Sequence, residues 1–145
     1  MTYFDTAYIA KCYLNEPRAA EVRALARRSD HLCSSAWARV EFSAVLHRHR
    51  REGHLRRRDA RRIMEFFTQD ENAGVWTWLP VTPALLQRSV ESFESVPEGA
   101  FLRAADAVHL TCARENGLEE VYSNDRHFLA CARHFGLAAV NILEA

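Results

Sequence analysis

Four acidic side chains stand at places in this sequence where they could hold a metal ion. Asp5 follows the β-prone run Thr2 to Phe4 and precedes a helical stretch, and Asp125 follows Val121-Tyr122-Ser123 and precedes another. In open α/β sheets ligands bind at the carboxyl ends of the strands, so both acids are expected on one rim. Glu41 lies in a helical stretch with Trp37, Val40 and Leu46, whose spacing predicts that part of its neighbourhood is buried. Asp106 stands early in another, among Ala104, Ala105, Ala107 and Val108. A carboxylate in apolar surroundings needs a partner.

Acids gathered in such a setting repel one another, and a divalent cation resolves the repulsion; oxygen-only ligands select Mg²⁺ or Mn²⁺. A bound ion makes water nucleophilic, and two ions about 4 Å apart can hold the attacking and leaving oxygens of a phosphodiester in line. Helix N-termini near Asp106 and Asp125 favour their ionised forms. Taken singly, each acid also fits an ordinary structural role: Asp125 as a helix cap, Asp5 as a turn former, Glu41 and Asp106 as surface groups. Their joint placement is what points to metal-dependent phosphodiester hydrolysis.

The elements that must position them alternate short β-prone runs with longer helical stretches, which predicts an α/β fold with a mostly parallel sheet. Five strands are expected at Thr2 to Phe4, His31 to Ser34, Trp78 to Val81, Glu120 to Ser123 and Ala138 to Ile142. Helices are expected over Ala7 to Leu14, Arg18 to Arg28, Ala36 to Arg51, Arg56 to Phe67, Pro83 to Ser95, Phe101 to Glu115 and Asp125 to His134. Ser34 or Ser35 can cap the third helix, and Thr82 followed by Pro83 reads as N-cap and first helical position. Gly53 splits an arginine-rich stretch into two arms, while Gly117 and Gly136 follow helical runs as C-terminal stops.

A length of 145 residues with 48% apolar and 26% charged side chains suits one globular domain, spanning 1–145, and excludes the disordered class. No apolar run is long enough for a membrane helix, and the start lacks a basic segment followed by an apolar one, so a cytoplasmic protein away from membranes is expected. The four cysteines contain no C-x-x-C pair, which leaves reduced thiols packed as small hydrophobes.

Net charge is zero, so no global field attracts nucleic acid. The charge is nevertheless concentrated. Arg48, Arg50, Arg51, Arg56, Arg57, Arg58, Arg61 and Arg62 face only Glu52 and Asp59 in the same stretch. Arginine's planar fork suits phosphate better than a lysine does, and the chain carries a single lysine, Lys11. The arms around Gly53, with Arg56, Arg57 and Arg58 at their centre, are expected to guide RNA toward the carboxylates; a plain solvated helical hairpin is the other reading.

The segments holding the acids resemble the motifs of PIN-domain nucleases, especially the VapC-type toxins of bacterial toxin-antitoxin pairs. Phe4-Asp5-Thr6-Ala7-Tyr8-Ile9-Ala10-Lys11-Cys12-Tyr13 is similar to their opening stretch, with Ala7 where a Ser is common. Ser34-Ser35-Ala36-Trp37-Ala38-Arg39-Val40-Glu41 resembles their second motif, Leu102 to Leu110 around Asp106 the third, and Tyr122-Ser123-Asn124-Asp125-Arg126-His127-Phe128 the fourth, with Ser123 where Thr is usual. The resemblance covers nearly the whole chain in order. It implies a three-layer α/β/α sandwich and an endoribonuclease whose catalytic and metal-binding residues are Asp5, Glu41, Asp106 and Asp125, assisted by Thr6 and Ser123. It further implies Mg²⁺ or Mn²⁺ as cofactor, a metal-activated water as nucleophile, a homodimer, and a small cognate antitoxin as partner.

Two other readings compete. A haloacid-dehalogenase-like phosphotransferase would need a D-x-D pair, and Ala7 stands where its second acid belongs. A catalytically weak PIN-like module that only binds RNA or a partner would not need all four acids. His109, three residues after Asp106, and His47, His49 and His54 read as core or surface imidazoles, since a two-metal mechanism needs none. Trp37 reads as core, although Trp37, Trp76 and Trp78 could each stack on a base.

Overall fold

The computed structural model describes residues 1–144. Five strands, β1 (Thr2–Phe4), β2 (Leu32–Ser35), β3 (Trp76–Leu79), β4 (Glu120–Tyr122) and β5 (Ala138–Val140), form one sheet in the order β3-β2-β1-β4-β5. Every pairing is parallel. Parallel neighbours require a crossover, and the crossovers here are helical: α1 (Thr6–Tyr13) and α2 (Ala19–Arg28), then α3 (Trp37–Arg51) and α4 (Arg57–Asn72), then α5 (Pro83–Ser95) and α6 (Ala104–Glu115), then α7 (Arg126–Ala132) with a short 3-10 turn, Arg133–Phe135.

Strand alternation divides the core into two layers. Phe4, Leu32 and Trp76 pack with Tyr8, Ile9, Val22, Phe42 and Phe67 of α1 to α4. Tyr3, Cys33, Leu79 and Val121 pack on the opposite face with Leu85, Leu110, Phe128 and Cys131 of α5 to α7. The three-layer sandwich follows, because a period of two sends successive side chains to opposite faces and each face must be covered. Cys33, Cys112 and Cys131 are buried, Cys12 is half-buried, and all four are free thiols. Among the described residues no helix is long and apolar enough to cross a membrane.

Boundary chemistry mostly acts where the sequence places it. Thr82 Oγ1 accepts the Leu85 N–H at 3.1 Å ahead of Pro83. Ser35 Oγ accepts the Trp37 N–H at 3.1 Å. Gly53, at φ 78°, makes the left-handed turn between α3 and α4.

Several boundaries differ from expectation, among them those of β3, α4 and α6. β3 begins at Trp76 and stops before Pro80, which has no N–H for the ladder; Trp76 and Trp78 both turn inward toward Phe67. α4 continues past Phe67 to Asn72 because its last turn is tied elsewhere: Glu71 accepts from Trp78 Nε1 at 2.8 Å and pairs with Arg39 at 2.7 Å. α6 begins at Ala104 rather than Phe101, and Arg103 takes extended backbone angles as its N-cap residue.

Candidate active site

β1 is the switch point of the sheet, since the chain moves outward from it through β2 and β3 and then returns to add β4 on its other side. Loops leaving β1 and β4 therefore diverge and open a crevice at their carboxyl ends. Asp5 and Asp125 stand in those two loops. The crevice is a cleft of about 1080 Å³ lined by Asp5, Glu41, Asp106 and Asp125, together with Thr6, His109 and Asn124. All four predicted acids thus line one cleft.

Each acid is held by identifiable partners. Asp5 caps α1, its Oδ1 accepting the Tyr8 N–H at 3.0 Å, while the Ser123 hydroxyl donates to its other oxygen. Ser123 Oγ in turn accepts the Asp125 N–H at 2.9 Å, which ties the β1 loop to the β4 loop. Asp125 caps α7 through Oδ1, accepting from the N–H groups of His127 and Phe128 at 2.9 and 3.2 Å. The ordinary reading of these two acids and the functional one are therefore compatible: capping uses Oδ1 and leaves Asp125 Oδ2 uncommitted.

Glu41 projects from α3 toward α6. It accepts from Thr6 Oγ1 at 2.8 Å and lies against His109 Nε2. Tyr3 orders that contact. The Ser35 N–H donates to the Tyr3 oxygen at 3.1 Å, and the phenol, whose pKa burial raises, donates its proton to His109 Nδ1 at 2.7 Å. The tautomer that satisfies this chain carries its proton on Nε2, facing Glu41. His109 is a core histidine, as expected, and also a contact of the site. Its signal was visible in the spacing of three from Asp106, which puts both on one helical face.

Arg103 has no role in the sequence reading, yet it joins two of the acids. Its Nε donates to Asp106 Oδ2 at 2.7 Å and its Nη2 to Asp106 Oδ1 at 3.2 Å, while Nη2 also meets Asp125 Oδ1 at 2.8 Å. The i,i+3 spacing from Arg103 to Asp106 is the sequence signal that could have found it.

Electrostatics distinguish the acids. Burial pushes the Asp5 carboxyl up to about 6, against the opposing hydrogen bonds from Ser123 and Tyr8. Burial, helped by the neighbouring Asp125 charge, also raises Asp106 against the lowering by Arg103. At Asp125 burial pushes upward but the Arg103 and backbone hydrogen bonds outweigh it, for a net lowering. Glu41 behaves likewise: burial pushes upward, and His109, Thr6 and Arg103 together outweigh it.

A divalent cation would be held by these carboxylates. Their donors are hard oxygens, and the raised pKa of buried Asp5 marks a place where a positive charge is wanted. Among the described residues no three His, Cys, Asp or Glu side chains converge on one point as they stand, and the positive charge between Asp106 and Asp125 is Arg103's. The donor chemistry fits the ion, with Arg103 in the way.

Two expectations about surroundings need correction. Trp37 and Val40 are exposed at 41% and 57%, because α3 turns Ala38, Phe42 and Leu46 inward instead. The basic wall of the cleft is His47, Arg48 and Arg51 at the end of α3. Of Arg56, Arg57 and Arg58, only Arg57 lines an adjoining recess, with His47, Arg50 and Arg51; all three are exposed at the start of α4.

None of the curated proteins compared matches this chain. Among solved structures, the chain is similar to the sarcin-ricin loop cleaving toxin VapC20 of Mycobacterium tuberculosis, with TM-score 0.71 and 20% identity over 90% of this chain and 95% of that one. It is also similar to FitAcB of Neisseria gonorrhoeae, with TM-score 0.74 and 17% identity over 97% of each chain. At such identities the likeness is one of fold. The model of the PIN domain family matches residues 2–134, and the chain belongs to the PIN domain family.

Proposed function

We propose that this protein is a divalent-metal-dependent endoribonuclease, the toxin of a toxin-antitoxin pair. The observation that carries the reading is the cleft at the sheet's switch point, lined by Asp5, Glu41, Asp106 and Asp125 together with Arg48 and Arg51. Membership of the PIN family supports a nuclease, since PIN domains generally use divalent ions, and VapC20 is described as a toxin that cleaves the sarcin-ricin loop.

Asp5, Glu41, Asp106 and Asp125 would hold Mg²⁺ or Mn²⁺, which would supply a lowered pKa for water and positive charge for the phosphate oxygens. The chain's own residues do the rest. Thr6 fixes a Glu41 oxygen, and Ser123 fixes Asp5 and the Asp125 backbone in one hydrogen-bonded unit. Arg48 and Arg51 offset the repulsion between an acidic cleft and an RNA backbone. Water attack on phosphorus with loss of the 3′ oxygen leaves a 5′-phosphate and a 3′-hydroxyl. Cleavage by the pure protein should therefore stop with EDTA, return with Mg²⁺ or Mn²⁺, and yield those ends; a 2′,3′-cyclic phosphate product would exclude the mechanism.

A homodimer and a small cognate antitoxin rest on the resemblance to VapC-type toxins. Leu86, Val90 and Phe93, exposed along one side of α5, support the first. Light scattering at micromolar concentration should give twice the 16.6 kDa chain mass, and Val90→Asp with Phe93→Asp should reduce it to one chain. Affinity purification from the native cell should bring down a small protein that inhibits cleavage; recovery of the toxin alone would count against the pair.

A further inference from the structure

Arg103 is placed by the fold where a metal ion is also wanted. It is the N-cap residue of α6 and Asp106 is the third residue of that helix, so its side chain folds back over the first turn onto the acid. Both Asp106 oxygens are engaged, at 2.7 and 3.2 Å, and the same Nη2 reaches Asp125 Oδ1 at 2.8 Å. Asp106 is buried, whereas the Arg103 side chain is 38% exposed at the cleft edge. The acid is therefore fixed, and the guanidinium has solvent to swing into.

We propose that Arg103 is a built-in competitor for the divalent cation: its guanidinium closes on Asp106 and Asp125 and must leave at least one Asp106 oxygen before an ion can be held there. The inference rests on the metal reading above. In the metal-free protein Arg103 answers the charge of two acids that would otherwise repel, so the site stays formed without an ion. That same contact lowers apparent metal affinity, because the dissociation constant is divided by the fraction of molecules in which the site is open. A site closed about nine times in ten binds about tenfold more weakly than an open one. Withdrawal also frees a planar, five-donor fork beside the cleft, where a phosphate can accept from it.

Calorimetric titration of Mn²⁺ into the full chain, at pH 8 to keep the acids ionised, tests this. Arg103→Gln should bind Mn²⁺ about tenfold more tightly than the wild type, and its metal-free form should melt at a lower temperature while gaining more from added Mn²⁺. Arg103→Lys should fall between them, since a point charge cannot span two carboxylates as the fork does. Circular dichroism confirms that both variants are folded, and the half-exposed lysine variant gives the comparison if glutamine disturbs the cap. Equal or weaker Mn²⁺ binding by both variants would show that Arg103 supports the ligands rather than competing, and overturns the inference alone. If neither the wild type nor the variants bind Mn²⁺, the metal reading itself fails and takes the inference with it.

Discussion

Asp5→Asn should abolish RNA cleavage, with a fall of about a hundredfold or more, and yet make the metal-free protein more stable. The second half follows from burial. The Asp5 carboxyl is pushed up from 3.8 to about 6, so the folded protein binds this proton more tightly than the unfolded chain does. For this group the wild type is most stable below about pH 4 and loses stability as pH rises toward about 6. Two pK units amount to about 3 kcal/mol.

Asparagine keeps the cap on Tyr8 but leaves the Ser123 hydroxyl without its acceptor, a cost of about 1 kcal/mol. A net gain of about 2 kcal/mol, or several degrees in melting temperature, is expected above pH 7; as pH falls below about 4 the ionisation penalty is gone and the variant should instead be about 1 kcal/mol less stable than the wild type. Melting curves of both proteins across that range, in EDTA, provide the check. An active variant would remove Asp5 from the site, and an unchanged melting temperature at pH 7.5 would mean that its carboxyl is already answered by charge. Asp106→Asn should lose cleavage without a comparable gain, because Arg103 already faces its charge. Glu41→Gln should lose both cleavage and some stability, since His109 holds its carboxylate below the usual range against the upward push of burial.

Neutralising Arg48 and Arg51 together should weaken RNA binding strongly at low salt and leave the rate at saturating RNA nearly unchanged. Both side chains line the cleft with the four acids, so each is placed to meet a backbone phosphate. Each contact to single-stranded RNA contributes roughly 0.7 to the slope of log affinity against log salt, so the double variant should lose about 1.4 from that slope. Replacing Arg56, Arg57 and Arg58 together should remove less, about 0.7, because only Arg57 adjoins the cleft-lining residues. If the triple variant instead keeps its salt slope and affinity but no longer holds its antitoxin, the start of α4 belongs to the partner. A double variant that keeps the wild-type slope would remove α3 from the RNA path.

Much of this molecule is legible in the sequence because local chemistry decides it. Alternating β-prone and helical runs state the fold class, Thr82-Pro83 and Gly53 mark their boundaries, and the four acids lie in segments similar to the family's motifs. What lay beyond local chemistry was missed or misplaced. Trp37 and Val40 have the spacing of a core stripe, but α3 rotates so that Ala38, Phe42 and Leu46 face inward, and only packing against α1 and α4, with Phe42 on Tyr13 and Phe67, fixes that rotation. The end of α4 depends on Trp78, seven residues past Glu71. The arginine wall of the cleft is α3's last turn rather than the densest run of the sequence, because Gly53 folds the second arm away from the acids.

The sequence by itself determined which residues could do the chemistry and that the strand ends would carry Asp5 and Asp125. The tertiary structure alone decided how those acids are answered: Ser123 joins Asp5 to the Asp125 backbone, Tyr3 aims His109 at Glu41 across more than a hundred residues of chain, and Arg103 spans Asp106 and Asp125. The reason is physical. A side chain's type and its near neighbours along the chain set what it can do, but its charge state depends on burial and on whichever partner the fold brings within 3 Å, and neither is written at any one position.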